Sequence, residues 1–149
     1  MITGFQHLHS ALRWVVLVLM ILAIVRAFSG WKGGKDFAGV KKLALFSMIT
    51  LHLQLVLGLA LYFLKGWAGR WSDPDMMSNK VLRFFTMEHL LIMIIGIAIA
   101  TVGYSTAKRM NDGAKQNKRI FVFYLIALLL ILSRIPWPFM EGFEAYGWF

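Results

Sequence analysis

Residues 5–28 read FQHLHSALRWVVLVLMILAIVRAF, an apolar run with few polar interruptions. An α-helix needs roughly 20 residues to cross the hydrocarbon core of a bilayer, and this run is long enough. Three further apolar runs follow at about residues 43–64, 84–105 and 120–136. The sequence therefore predicts an all-α membrane protein, with four transmembrane helices in a single domain over residues 1–149.

The composition supports the membrane class. The chain is 59% hydrophobic and only 15% charged, whereas soluble domains are about half apolar and about a quarter charged. It contains no cysteine. Disulfides, thiolate metal sites, iron–sulfur clusters and covalently attached c-type haem are therefore excluded.

The charges predict an orientation. Basic residues concentrate after the first and third runs: Lys32, Lys35, Lys41, Lys42, Lys108, Arg109, Lys115, Lys118 and Arg119. By the positive-inside rule these loops face the cytoplasm, which predicts an N-out/C-out, up-down-up-down bundle in a bacterial inner membrane. The net charge of +9 then reflects topology and contact with lipid, and no nucleic-acid partner is expected. The predicted outer aromatic belt comprises Trp67, Trp71, Trp137, Tyr146, Trp148 and Phe149.

Four histidines lie in or beside the apolar runs. A titratable side chain inside a membrane is costly, so each is a candidate functional residue. At about 1.5 Å per residue, His9 and His89 both lie roughly 6–7 Å inside the outer edge. His52 lies roughly 18 Å deep, whereas His7 is close to the surface and is expected to be interfacial.

Helical spacing predicts which side chains share a face. One polar face of the first helix carries Gln6, His9, Ser10 and Arg13, and it is expected to point into the bundle. A stripe on the third helix carries His89, Met93, Gly96, Ala100 and Gly103, whose small members leave room for a flat ring or pack closely against another helix. The second helix has two polar sides, with His52 on one and Ser47, Thr50, Gln54 and Gly58 on the other.

These positions favour a haem b bound between two imidazoles. His9 and His89 are the preferred axial ligands because they lie at equal depth on different helices. Arg13 and Arg134 are expected to pair with the haem propionates, since guanidinium binds carboxylate in a bidentate manner. Glu88 is the competing partner for either arginine.

Several alternatives remain open. His52 either replaces one of the two ligands or serves a deeper quinone or proton site, in which Gln54 binds a quinone carbonyl. The same three histidines with Glu88 are also compatible with a copper or zinc site. A third hypothesis is an accessory subunit of a larger membrane complex or a homo-oligomer.

Four segments carry a resemblance to a known group of proteins. They are TGFQHLHSALRW (3–14), HLQLVLGLALYF (52–63), RFFTMEH (83–89) and RIPWPF (134–139). The chain resembles small four-helix membrane proteins of Bacteroidetes-type bacteria that are labelled "cytochrome B", in the broad manner of cytochrome b561. The resemblance implies a b-type haem held by His9, His52 or His89, and electron transfer between quinol and a redox partner protein. It does not imply a catalyst with substrate chemistry of its own.

Overall fold

Four long helices form most of the molecule. The computed structural model describes residues 2–146. The helices are α1 (Ile2–Lys32), α2 (Ala38–Leu64), α3 (Lys80–Ala107) and α4 (Gly113–Ser133). All four are long and apolar enough to cross a membrane, and no strand occurs within residues 2–146. The predicted four-helix, all-α membrane fold is confirmed.

The helix ends differ from the ends of the apolar runs. α4 begins at Gly113 rather than near residue 120, because the Asp112 side chain caps it by accepting a hydrogen bond from the backbone N–H of Lys115. It ends at Ser133 rather than at residue 136, because Pro136 disfavours helical geometry in the residue before it. In α4, hydrophobicity therefore marks the apolar part of the helix, whereas the Asp112 cap and Pro136 set its limits.

Each of the four helices packs against two neighbours, and one of the four resulting contacts is less extensive than the others. α1 packs against α2 and α4, and α3 packs against α4, whereas α2 and α3 contact each other less extensively. Because the four helices alternate in direction, the start of α1 and residues 65–79 and 134–146 lie at one end of the bundle, here called the terminal end. Residues 33–37 and 108–112 connect the helices at the opposite end, here called the basic-loop end.

The half of the bundle nearer the basic-loop end is closely packed. Fully buried alanines line the helix contacts there: Ala23, Ala27, Ala44, Ala100 and Ala107. The Tyr124 hydroxyl donates a hydrogen bond of 2.7 Å to the Ala44 carbonyl and so joins α4 to α2 through the core. Small residues let helix backbones approach closely, which is how helices associate in membranes without help from water.

The small-residue stripe of α3 is part of this packing. A Cβ atom at Gly103 would overlap the Phe123 side chain, and one at Gly96 would lie 3.1 Å from Ile131. Both contacts are made with α4. The glycines of the stripe therefore form a helix-packing surface, and they do not leave a slot for a flat ring.

The outer surface of the bundle is apolar, as expected for contact with lipid. Several large side chains are more than half exposed on it: Val18, Val25, Phe46, Val56 and Leu129. Trp67, Trp71, Trp137 and Tyr146 of the predicted aromatic belt lie in the segments at the terminal end. Trp148 and Phe149 lie outside the described residues.

Candidate functional site

A cavity of about 160 Å³ lies in the terminal half of the bundle, where α2 and α3 separate. One water needs on the order of 10–15 Å³, so the cavity has room for several waters or one small organic molecule. Most of its wall is apolar and includes Leu55, Met93 and Ile97. A few polar side chains from α1, α2 and α3 converge in it, which is typical of small-molecule sites.

The α1 wall is the polar face that the sequence predicted. Gln6, His9, Ser10 and Arg13 all line the cavity. They follow one another at three- and four-residue steps, which places them on one side of a helix. The prediction that this face points into the bundle is confirmed.

His9 fits against α2 because residue 58 has no side chain. A Cβ atom at Gly58 would lie only 3.1 Å from Cε1 of His9. The Gln54 side chain donates a 2.8 Å hydrogen bond from Nε2 to the backbone carbonyl of His9. Within the described residues, Nδ1 of His9 and Oε1 of Gln54 are buried without a hydrogen-bond partner. Both atoms are therefore left to a ligand or to water.

His89 is positioned by an irregular turn of α3. Residues Phe84–Glu88 form a π-helical turn between the α-helical segments Lys80–Arg83 and His89–Ala107. One extra residue in a turn rotates the following side chains by about 100°. The Tyr62 hydroxyl donates a 3.0 Å hydrogen bond to the Thr86 carbonyl within this turn, so α2 supports the irregular geometry.

The two predicted partner histidines meet in the cavity. The ring centroids of His9 and His89 are 6.4 Å apart, with their planes at 67°. Nδ1 of His89 lies 2.6 Å from the Arg134 carbonyl oxygen, which can only accept a hydrogen bond. Nδ1 therefore carries a proton, and Nε2 can accept a hydrogen bond when the ring is neutral. His9 and His89 are thus brought together, as expected from their positions on α1 and α3.

The two predicted arginines have different surroundings. Arg13 lines the cavity, and its guanidinium carbon lies 5.4 Å and 5.7 Å from the ring centroids of Trp14 and Trp137. Arg134 does not line it, and its Nε lies 3.5 Å from Oε2 of Glu88. Glu88, the expected competitor, is thus the observed partner of Arg134.

The other two histidines lie outside the cavity. His52 is exposed on the outer surface of α2, and its Nδ1 lies 2.8 Å from the Met48 carbonyl of its own helix. The Gln54 side of α2 faces the bundle instead. His52 is therefore not brought together with His9 and His89. His7 is exposed, in agreement with its predicted position away from the polar face.

The terminal end of the cavity is lined by residues that the sequence did not suggest as site residues. Lys65 follows the last residue of α2, and its Nζ donates a 2.6 Å hydrogen bond to Oε1 of Gln6. Burial lowers the pKa of Lys65. Trp67 stacks on Phe85 with ring centroids 5.2 Å apart, and Phe85 lies 4.8 Å from Tyr146.

In the sequence, Lys65 follows directly after an apolar run, where a lysine is usually a flanking charge that sets the orientation of the helix in the membrane. Because α1 and α2 are antiparallel, Lys65 lies at the same end of the bundle as Gln6, and this could have identified Lys65 as a residue of the site. Trp67 and Tyr146 were interpreted as membrane anchors, because aromatic residues near the ends of transmembrane helices usually lie at the membrane interface.

Comparisons with known proteins point to transporters. Over 95% of its length the chain is 24% identical to the uncharacterized transporter YdgF of Bacillus subtilis strain 168, of which the match covers 34%. Over 89% of its length it is 28% identical to the D-serine/D-alanine/glycine transporter of Escherichia coli K12, of which the match covers 32%. The chain thus spans about a third of the length of these curated relatives. No family model matches the chain. No solved structure matches it.

These findings correct the functional prediction. The similar proteins are named as transporters, and no group of three or more His, Cys, Asp or Glu side chains within residues 2–146 is arranged to hold a metal ion. The resemblance to cytochrome b561-like proteins and the prediction of a haem-binding electron carrier are therefore wrong, and so is the copper or zinc alternative. Depth and helical spacing identified which side chains converge, but not the chemistry they perform.

The predicted localisation is confirmed. Four apolar helices and similarity to bacterial transporters identify a multi-pass protein of the bacterial inner membrane.

Proposed function

We propose that this chain belongs to a membrane transport system and binds a small organic solute in the cavity of the terminal half. The cavity is the observation that carries the proposal, because it combines apolar walls with His9, Arg13 and His89 inside a membrane bundle. Polar groups inside a membrane bundle are costly, so their convergence indicates a functional site. The similarity to transporters supports the same reading.

The printed names of the relatives suggest the first solutes to test. D-Serine, D-alanine and glycine are transported by the Escherichia coli proteins that the chain resembles. Each is small enough for a cavity of about 160 Å³. Since the chain spans about a third of those proteins, binding is measured alongside uptake.

The experiment compares two leucine substitutions on α2. Gly58→Leu fills the cavity beside His9, whereas Gly39→Leu adds the same side chain at a position with open space around it. Purified protein is tested for binding of the three solutes by calorimetry, and proteoliposomes are tested for uptake of the labelled compounds. We expect wild type and Gly39→Leu to bind and Gly58→Leu to lose binding.

Two results would contradict the proposal. One is that the wild-type chain neither binds nor takes up any small solute of the tested panel. The other is that Gly58→Leu binds as well as Gly39→Leu, which would place the binding site elsewhere.

A further inference from the structure

A smaller cavity lies at the basic-loop end, between the end of α1 and the start of α2, and is here called the basic-loop cavity. It has a volume of about 110 Å³, and its polar lining consists of Arg26, Ser29, Lys35 and Asp36. All four residues are exposed, so the cavity opens onto the surface of the bundle. It shares no lining residue with the cavity of the terminal half, so the proposed function does not use it.

The basic side chains of this cavity are available to an anion. Neither Arg26 nor Lys35 forms an ion pair within residues 2–146. The carboxylate of Asp36 pairs with neither of them, and its Oδ1 accepts a 3.1 Å hydrogen bond from the backbone N–H of Ala38. Two cations and one carboxylate therefore leave the lining with a net positive charge.

Arg26 lies at the level where the hydrocarbon core of a membrane meets the lipid headgroups. α1 has 31 residues and is therefore about 46 Å long, whereas the hydrocarbon core is about 30 Å thick. Divided between the two ends of the helix, the excess is about 8 Å at each end. Arg26 lies about 9 Å before Lys32, the last residue of α1. Its exposed guanidinium is therefore within reach of lipid phosphate groups.

An apolar surface continues from the basic-loop cavity toward the centre of the membrane. On α1, Leu22 lies one helical turn from Arg26 and is 47% exposed. On α2, Leu43 lies one turn from Val40, which lines the cavity, and is partly exposed. A ligand that contacts both regions has an anionic head and a hydrocarbon chain.

We propose that the basic-loop cavity binds the phosphate group of a membrane phospholipid, held by Arg26 and Lys35, with an acyl chain against Leu22 and Leu43. Guanidinium and ammonium groups form charge-assisted hydrogen bonds with phosphate oxygens, and the Ser29 hydroxyl is a further donor. Basic pockets between transmembrane helices bind lipid headgroups in this way. The site is additional to the solute cavity and does not depend on it.

Three probes separate the parts of the lipid. Dioctanoyl phosphatidylglycerol has both the phosphate and the chains, dioctanoylglycerol has the chains alone, and glycerol phosphate has the phosphate alone. Each is titrated into the full-length protein in a nonionic detergent, and bound ligand is counted by native mass spectrometry. We expect phosphatidylglycerol to bind and the other two probes to bind at least about fivefold more weakly, the factor expected for one basic contact near the membrane surface.

Charge variants identify the responsible side chains. Arg26→Gln and Lys35→Gln are each expected to weaken phosphatidylglycerol binding by about fivefold. The matched controls are Lys41→Gln and Lys108→Gln, because both side chains are exposed at the same end of the bundle and do not line the cavity. Arg26→Lys keeps the charge, so retained binding in this variant separates loss of charge from loss of folding.

Each of four results would overturn the proposal. Phosphatidylglycerol fails to bind, or dioctanoylglycerol binds as tightly, which would show that the phosphate is not recognised. Glycerol phosphate binds as tightly as the lipid, which would make the cavity a site for free anions. Arg26→Gln and Lys35→Gln bind the lipid as tightly as their controls, which would place the lipid elsewhere on the bundle.

Discussion

Gly58 sets the distance between α1 and α2 beside the cavity. Any side chain there would press on the His9 ring, since a Cβ atom would lie 3.1 Å from Cε1. The ring has little freedom to retreat because the His9 backbone is tied to α2 by Gln54. The shape of the cavity therefore depends on a residue that carries no functional group.

Gly58→Ala is expected to destabilise the bundle by about 1–3 kcal/mol, the usual cost of overpacking. Solute binding should weaken at the same time, because His9 is displaced. Thermal unfolding in detergent and calorimetric binding measure the two effects. Gly39→Ala is the control, and the open space there predicts a neutral or slightly stabilising change of about 0.4–1 kcal/mol. Equal unfolding temperatures for the two variants would show that Gly58 does not constrain His9.

At the scale of single elements, the π-helical turn of α3 is held by a contact with α2 and positions His89 in the cavity. Tyr62 donates to the Thr86 carbonyl at 3.0 Å and accepts a 2.7 Å hydrogen bond from Nε1 of Trp71. Its hydroxyl thus links α2, the 3₁₀ turn at Trp67–Ser72 and the π-helical turn. His89 follows this turn directly, so its direction depends on this contact.

Tyr62→Phe removes the hydroxyl and leaves the Thr86 carbonyl without this donor. The expected loss of stability is about 1–3 kcal/mol, because the group left behind is buried. Thermal unfolding in detergent measures the loss, with Tyr104→Phe as the control, since no hydrogen bond of the Tyr104 hydroxyl occurs within the described residues. A shift no larger than that of Tyr104→Phe would show that the bond does not support the turn.

The same elements show what the sequence could and could not predict. The inward face of α1 follows from the three- and four-residue spacing of Gln6, His9 and Arg13, and helix direction gives the common depth of His9 and His89. The π-helical turn has no periodic signal, so it could not be predicted. His52 was ambiguous because α2 has polar residues on two sides, and only packing decides which one faces the bundle.

At the scale of the whole molecule, the orientation in the membrane stays a prediction. The basic residues cluster at one end of the bundle, and the positive-inside rule assigns that end to the cytoplasm. The cavity would then lie in the outer half of the membrane. A solute would reach it from outside the cell, past Lys65 and the aromatic side chains around it.

The absence of cysteine makes this orientation directly measurable, because any introduced cysteine is the only thiol in the chain. Ser78 is exposed at the terminal end, and Asn111 is exposed at the basic-loop end. In intact spheroplasts, which lack the outer membrane, an impermeant maleimide should label Ser78→Cys but should label Asn111→Cys only after lysis, since only the terminal end faces outward. Labelling of Asn111→Cys before lysis would reverse the orientation and place the cavity on the cytoplasmic side. The direction of solute entry depends on this result, because the wall that carries Lys65 and Gln6 would then face the cell interior.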